Sequence, residues 1–241
     1  MNEIIQALHA RKSVRSFTDR EIPEDVVQAI LEASVRAPTA GNQQLYTILR
    51  ITDPEKKHRL SISCDHQLFI ETAKLVLVYC ADCLKWYTAY KESGCEPRKP
   101  GAGDLLLAVG DALIAAQNAV IAAESFGVGS CYIGDITENI EEHREIFALP
   151  PLVFPAAMLV FGYPTEQQLN RKKTDRADMK YIVFEDSYHP LTMDELEDML
   201  SYHSNGQDPH TWLSKFCERK YNSAFSREMT RSVRKYLEDF D

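Results

Sequence analysis

The segment at residues 104–126 most limits how this chain can fold, because it is apolar on nearly every face of a helix. A segment of this length could span a membrane, but Asp111, Gln117, Asn118 and Glu124 would be costly in lipid and no basic flank marks an inside end. We therefore predict a fully buried central helix. An all-round apolar helix in a soluble protein needs a sheet or a subunit on each side, so the segment also indicates a dimer.

The charge composition argues against a nucleic-acid-binding function. The 241 residues carry 27 Lys and Arg against 36 Asp and Glu, a net charge of −9, and no stretch combines basic and aromatic residues as nucleic-acid binding requires. We expect no nucleic-acid partner and no membrane. The length predicts one large domain with extensions or two small domains. The N-terminus has neither a basic lead nor an apolar run followed by small residues, so we expect a cytoplasmic protein.

Helices and buried strands alternate along the first two thirds of the chain. Pro23 stands at a first helical position before apolar residues at helical spacing, which predicts a helix over residues 23–35. Short β-branched runs predict strands at residues 45–51, 75–80 and 156–161. After residue 165 the chain is polar, with helices predicted from a capping box at residues 192–195 and from about residue 226.

The cysteine pair Cys80 and Cys83 has the spacing of a redox or half-zinc motif. No second CxxC or HxxxH completes a metal site, so we predict no metal and interpret the pair chiefly as the end of a buried strand.

Two loops could bind a ligand. The loop at residues 11–17 holds three cations and two hydroxyls, which suits a phosphate, although taken alone the cluster fits a solvated surface loop better. The loop at residues 38–44 offers amides and backbone N–H groups, or it is a plain turn from helix to strand. A second basic cluster lies at residues 170–173, and the glycines at 127 and 129 lack the third glycine of a dinucleotide fingerprint.

Several catalytic signatures are missing, namely the GxSxG elbow, the P-loop and HExxH. The histidines show no ligand spacing. If the chain is an enzyme, a bound cofactor supplies its reactivity.

The order of these pieces resembles the FMN-dependent nitroreductase family. The resemblance rests on residues 11–17, 37–44, 66–70, 116–118, 127–134 and 161–164, with Arg171 and Lys173 downstream, and covers residues 3–175. It implies an α+β fold with a mixed, mainly antiparallel sheet flanked by helices and a long central helix in an intertwined homodimer. It also implies a single domain over residues 1–241, with a core at about 3–175 and a C-terminal extension at about 176–241 that embraces the partner subunit.

The resemblance further implies FMN bound at the dimer interface and NADH or NADPH bound transiently. Arg11 and Ser13 would bind the phosphate and ribityl chain, and Arg15 would face the N1 and O2 edge of the flavin, where reduction places negative charge. Arg171 and Lys173 would complete the phosphate site. The remaining cofactor-binding residues implied by the resemblance are Lys12, Pro38, Thr39, Asn42, Gln67, Ile133 and Gly134.

Within that set, Asn42 would come from the neighbouring subunit or the same face, Gln67 would contact the flavin or ribityl, and Ile133 and Gly134 would pack over the ring and provide a backbone donor. This chain departs from the family at Lys12, where arginine or histidine is frequent, and at Asp135, where a second glycine is common.

The implied reaction has two halves: NAD(P)H delivers hydride to flavin N5 and leaves, and an acceptor then stacks on the same face. We expect nitroaromatic, quinone or flavin acceptors and name no catalytic acid or base. The segment at residues 82–103, with Trp86, Tyr87 and Tyr90, forms part of a substrate lid or packs as core. Alternatives are a specialised flavin enzyme such as a reductive dehalogenase, or a non-catalytic dimer that binds FMN or a partner.

Overall fold

A computed structural model describes residues 1–204 and 208–241 of the chain. The helices of the first half are α1 (Glu3–Ala10), α2 (Glu24–Val35), α3 (Pro54–Ser63), α4 (Phe69–Thr72), α5 (Leu84–Glu92) and α6 (Ala102–Ser125). Those of the second half are α7 (Ile140–Phe147), α8 (Glu166–Asn170), α9 (Met193–Ser204), α10 (Pro209–Lys220) and α11 (Ala224–Leu237). The strands are β1 (Tyr46–Arg50), β2 (Leu75–Asp82), β3 (Gly129–Ile133) and β4 (Val153–Gly162).

The four strands form one antiparallel sheet in the order β1-β2-β4-β3. An isolated parallel bridge joins Ser13 to Ser130 outside the named strands, whereas the strands that form the sheet pair antiparallel throughout, so the expected mixed sheet is antiparallel. All eight residues of β2 are buried, because helices cover both faces of the sheet and no face of a central strand meets water. The predicted α+β class and the predicted strands are confirmed.

The central helix α6 packs against the sheet with Ala112, Ala116 and Ala119, and against α2. Small side chains at these positions let the helix approach the strands closely. α6 has the length and hydropathy of a membrane-spanning helix, and 44% of its most apolar window is buried inside the chain.

The expectation of full burial for α6 is wrong for the single chain. Leu106, Leu107, Leu113 and Ile114 are 41–72% exposed, because the sheet covers one side of the helix and no element of the first compact unit covers the other. Exposed leucines in this number form an apolar surface of the kind that marks an interaction site.

The chain divides into two compact units, one of residues 1–171 with 228–241 and one of residues 172–227. In the first unit, Tyr236 at the end of α11 is fully buried and meets Phe154 of β4 edge-on, with ring centroids 5.0 Å apart. In the second unit, Thr192 and Glu195 form the predicted capping box at the start of α9, since each side chain bonds the other residue's backbone N–H. Trp212 stacks on Phe216 within α10.

Candidate functional site

The loop that carries Arg11 to Arg15 is fastened to the edge strand β3. Ser13 pairs with Ser130, and the backbone N–H of Val14 donates to the carbonyl oxygen of Ser130 at 2.9 Å. A Cβ atom on Gly129 would lie 2.5 Å from the Val14 Cγ2 atom, so only glycine permits this approach. The loop therefore extends the edge of the sheet and has one defined position.

Two buried polar atoms near this edge have no hydrogen-bond partner among the described residues. They are the Nη1 atom of Arg11 and the hydroxyl oxygen of Ser130, whose residue is 1% exposed. Buried polar groups in folded proteins are nearly always bonded, so free donors here are the expected state of a site that bonds to a ligand. A cation and a hydroxyl together suit an anionic group such as a phosphate.

The second basic cluster meets the first. The ammonium of Lys12 donates to the carbonyl oxygens of Leu169 and Arg171 at 2.7 and 2.6 Å, and the guanidinium of Arg171 donates to the carbonyl oxygen of Ser13 at 2.5 Å. Two of the three N–H donors of Lys12 are therefore bonded to backbone carbonyl oxygens at the end of α8 and just after it. Lys173 lies in the unit of residues 172–227, so its part in a phosphate site stays a prediction.

Arg15 lies on the same loop with an exposed side chain. Its backbone N–H donates to the amide oxygen of Gln168 at 3.3 Å, which fixes the main chain beside α8. Burial raises the pKa of the Cys131 thiol on β3, while the nearby Arg15 charge and the Ser13 hydroxyl oppose that rise. The guanidinium of Arg15 is therefore held close to β3.

The C-terminal end of β3 holds three more of the predicted residues. Ile133 is 2% exposed and its side chain packs in the core, so in this chain that side chain is not free to pack over a ring as expected, whereas Gly134 is exposed. Gln67 reaches this point from the segment before α4, and its amide nitrogen donates to the Asp135 carboxylate at 2.8 Å. Arg11, Lys12, Ser13, Arg15, Gln67, Gly134 and Arg171 thus surround one edge strand, and we name this set the β3 cluster.

The loop at residues 38–44 is shaped by a short 3₁₀ turn, Ala40–Asn42, in which Gly41 and Asn42 have positive φ angles of 55° and 56°. Asp111 of α6, which is 4% exposed, accepts hydrogen bonds from the backbone N–H groups of Ala40 at 3.0 Å and Leu45 at 3.3 Å. The Thr39 hydroxyl oxygen accepts from the Gln44 N–H at 3.2 Å. The loop is therefore rigid, and we name it the β1 loop.

The β1 loop and the β3 cluster lie at opposite corners of the sheet. Tyr46, which follows the loop, pairs with Ala81 of β2, and Ala81 pairs with Phe154 of β4. On the other side of the sheet, Ser13 pairs with Ser130 of β3, and Ser130 pairs with Phe161 of β4. Seven residues of an extended strand span about 23 Å, and the three strand spacings from β1 to β3 add about 14 Å sideways. One chain therefore does not bring its two groups of predicted residues together.

A cleft opens beside the β1 loop. Its walls include Gln43, Leu45, Trp86, Tyr87 and Tyr90. The indole N–H of Trp86 donates to the Gln43 carbonyl oxygen at 2.7 Å, and the Trp86 and Tyr90 rings lie 5.6 Å apart, centroid to centroid. These aromatics on α5 both brace the loop and line open space. At the rim, Arg98 makes a two-pronged ion pair with Asp104.

Cys80 and Cys83 lie at the end of β2 and are both buried. Burial raises the pKa of each thiol to about 12, reinforced by the charge of Asp82 at Cys80 and by the charges of Asp104 and then Asp82 at Cys83. No group of three or more His, Cys, Asp or Glu in residues 1–204 and 208–241 could hold a metal ion. The interpretation of the pair as a buried strand end is therefore supported by burial and thiol chemistry alike.

Sequence reasoning missed the residues that position the loops. Asp111 looked only like a charge unsuited to lipid, and Gln168 carried no signal. An isolated carboxylate in an apolar helix is the one sequence clue that could have led to Asp111, because such a group needs buried donors.

Together these features define an α+β protein with two separate groups of candidate site residues, a basic group at one corner of an antiparallel sheet and a polar group at the other. The profile of the nitroreductase family matches residues 8–163. An FMN reductase [NAD(P)H] of Bacillus subtilis is 30% identical over 247 residues, covering 99% of this chain and 92% of the relative. An oxygen-insensitive NADPH nitroreductase of Salmonella typhimurium is 32% identical over 79% of this chain and 77% of its own.

Comparison with solved structures leads to the same family. The NADPH:FMN oxidoreductase of Vibrio harveyi, solved in complex with NAD⁺, superposes with a TM-score of 0.83 at 26% identity, covering 98% of each chain. The chain therefore belongs to the nitroreductase family.

Proposed function

We propose that the chain is an FMN-dependent oxidoreductase that transfers two electrons from NAD(P)H to flavin, nitroaromatic or quinone acceptors. The observation that carries the proposal is the β3 cluster together with Ser130 of β3, since buried donors of Arg11 and Ser130 have no partner among the described residues. Family membership supports it, since relatives are named for FMN reduction and nitroreduction with NAD(P)H.

The donor set fits FMN. Arg11, Ser13 and Arg171 would bind the phosphate, with Lys12 holding the Arg171 backbone and Lys173 as a further cation. Gln67 and the backbone at Ile133 and Gly134 would line the flavin. Pro38, Thr39 and Asn42 would be supplied by the β1 loop of a second copy of the chain.

FMN, when bound, accepts a hydride from NAD(P)H and passes two electrons to the acceptor. The protein's part is to bind and to stabilise charge. Arg15 is a fixed cation for the edge of the flavin where reduction places negative charge, and such a preorganised charge favours the reduced cofactor. No side chain is required as a catalytic acid or base, because solvent can supply protons to the products.

We propose a homodimer because the β1 loop and the β3 cluster lie too far apart to hold one flavin in a single chain. The exposed leucines of α6 support this assembly, and Ile4 and Leu8 of α1 add exposed apolar surface in the same unit. Burying these side chains between two copies would be favourable at roughly 25 cal/mol per Å² of apolar area. We also propose a cytoplasmic location, which suits six free cysteines.

We propose that the cleft beside the β1 loop receives the acceptor. Trp86, Tyr87 and Tyr90 offer ring faces and edges to a flat aromatic molecule, and stacked or edge-to-face pairs are worth about 0.5–1.5 kcal/mol beyond buried area. The partly exposed rings leave the space open, as a broad acceptor range requires.

The testing experiment is the visible absorption spectrum of the purified protein, recorded before and after adding NADPH or NADH without oxygen. Flavin bands that bleach, and return when a quinone or nitroaromatic is added, are the expected result. Flavin that binds but does not bleach would favour the non-catalytic FMN-binding dimer, and bleaching with turnover of haloaromatics alone would favour the dehalogenase. A protein that takes up no FMN would overturn the proposal.

A further inference from the structure

The amide of Gln67 has both of its N–H donors engaged by the protein. The Nε2 atom donates to the carbonyl oxygen of Cys64 at 2.9 Å and to the Oδ2 atom of Asp135 at 2.8 Å. An amide nitrogen has two donors, so neither is left for a ligand. Within residues 1–204 and 208–241, no hydrogen bond reaches the Oε1 atom, so the face left to a ligand is an acceptor.

Asp135 is what settles this orientation. It lies in the 3₁₀ turn Gly134–Thr137 directly after β3, and its carboxylate can only accept hydrogen bonds when ionised. The Cys64 carbonyl and the Asp135 carboxylate both require a donor, so turning the amide by 180° would place its oxygen against two acceptors. A glycine at position 135 would remove one of the two constraints.

A second acidic group, Glu138, lies near Asp135. Glu138 is 5% exposed, and its Oε1 atom has no partner among the described residues. Burial first, then the charge of Asp135, raises the pKa of Glu138 to about 7. The Glu138 carboxyl therefore lies close enough to Asp135 to sense its charge.

We propose that Asp135 is a positioning residue that holds Gln67 with its carbonyl oxygen facing the flavin site, so that the site accepts a hydrogen bond from FMN. The donor is the imide N3–H of the ring or a ribityl hydroxyl, which offer the same chemistry. The inference rests on the proposed function, because the ligand is the proposed FMN. It goes further than the proposed function because it states which partner donates in the contact between Gln67 and FMN: FMN donates and the Gln67 carbonyl oxygen accepts.

The test is a double-mutant cycle on FMN affinity. Apoprotein carrying Asp135→Ala, Gln67→Leu or both is titrated with FMN, and the dissociation constant is read from flavin fluorescence. Losing one oriented hydrogen bond should weaken binding about fivefold in Asp135→Ala. Because Asp135 acts through Gln67, the same change in the Gln67→Leu background should have almost no effect. Asp135→Asn retains an acceptor oxygen and should restore most of the affinity.

Two further measurements separate positioning from a general structural role. Asp25→Ala removes an exposed carboxylate on α2 and should leave affinity unchanged. 3-Methyl-FMN lacks the N3–H donor. If Gln67 faces N3–H, the wild type and Asp135→Ala should bind this analogue with equal affinity. If Gln67 faces a ribityl hydroxyl, the wild type should still bind the analogue more tightly than Asp135→Ala.

The outcomes differ for the two proposals. The positioning role alone would be overturned if Asp135→Ala weakened FMN binding equally with and without the Gln67 side chain. It would also be overturned if the Asp135→Asn protein bound FMN as weakly as the Asp135→Ala protein. A wild-type protein that binds no FMN would overturn the proposed function and this inference with it.

Discussion

The ammonium of Lys12 donates to the backbone oxygen of Arg171 across 2.6 Å and so joins two residues that are 159 positions apart. Lys12 also bonds the Leu169 carbonyl oxygen, so the chain that follows α8 is held against the loop of Arg11 to Arg15. A compact ammonium with three rotatable donors can serve two carbonyls at once. Lysine is therefore well suited to this position.

Lys12→Met should weaken FMN binding about tenfold. The change removes two charge-assisted hydrogen bonds and frees the Arg171 backbone, although Arg171 itself remains. Calorimetric titration of the apoprotein with FMN measures the effect. Lys172→Met, which removes a side chain that is 87% exposed, serves as the matched control for charge and should bind FMN normally. Equal affinities in both variants would refute the role of Lys12.

Arg11→Ala should cost FMN binding about 2–5 kcal/mol, the loss typical of a buried charged contact. Its partly buried guanidinium has an Nη1 atom without a partner among the described residues, so the phosphate would be its main bonding group. Flavin content after gel filtration and the dissociation constant both report the change. Arg36→Ala, at an exposed arginine after α2, should retain its flavin. Full occupancy in Arg11→Ala would remove Arg11 from the site.

Asp111→Asn should lower both stability and turnover. The buried carboxylate accepts from Ala40 and Leu45, and an amide oxygen accepts more weakly while its amino group gains no acceptor there. A destabilisation of about 1.5–3 kcal/mol is expected for hydrogen bonds to a charged group. Urea unfolding measures it, and steady-state kinetics report the loosened β1 loop. Asp19→Asn, an exposed change, should alter neither quantity.

Glu138 should make the protein less stable as pH rises. Its folded pKa is about 7 against an ordinary value of 4.5, because of burial and then Asp135, with Asp65 and Glu228 adding to the rise. Between pH 4.5 and about 7 the unfolded chain gives up a proton that the folded chain keeps, so unfolding becomes easier. Glu138→Gln should therefore gain about 1–3 kcal/mol relative to the wild type between pH 4.5 and pH 8.

Glu141 is a control with the opposite pKa shift for the pH dependence of the unfolding free energy. Hydrogen bonds from Arg231 and Lys235 lower its pKa, so its stabilising contribution is present above pH 4.5 and disappears as the pH falls. Glu141→Gln should accordingly lose stability relative to the wild type as the pH rises towards 4.5, and should show almost no further change above about pH 5.5. Unfolding curves at a series of pH values measure both variants. The same slope in both would contradict the assignment of Glu138.

Cys80 and Cys83 should resist alkylation at pH 8. Their thiol pKa values of about 12, raised by burial, leave almost no thiolate, while Cys95 and Cys217 are exposed. Iodoacetamide followed by peptide mass spectrometry should show Cys95 and Cys217 labelled at least about a hundredfold faster than Cys80 and Cys83. Rapid modification of Cys83 in the folded protein would reopen the redox interpretation.

Much of the fold was predictable because local patterns determine it. The helix Glu24–Val35 follows from Pro23 and the apolar spacing after it, and β2 follows from its run of β-branched residues. The exposed face of α6 was not predictable, since an apolar helix has the same sequence whether a sheet or a second subunit covers it.

The candidate site was less predictable. The individual residues Arg11 and Gln67 followed from the resemblance, but their partners did not. Asp135 lies 68 positions from Gln67, and which amide atom faces outward depends on a contact formed only in the folded chain. Asp111 acts on backbone N–H groups, which every residue has, so no residue type marks its targets.

The separation of the β1 loop from the β3 cluster has a genetic consequence. In the proposed homodimer, each of two flavin sites takes its basic half from one subunit and its polar half from the other. A dimer that combines an Arg11→Ala subunit with a subunit disabled in its β1 loop would place both defects in one site and leave its second site intact. Two inactive alleles should therefore complement each other, with activity approaching one quarter of the wild-type value when subunits mix at random in equal amounts.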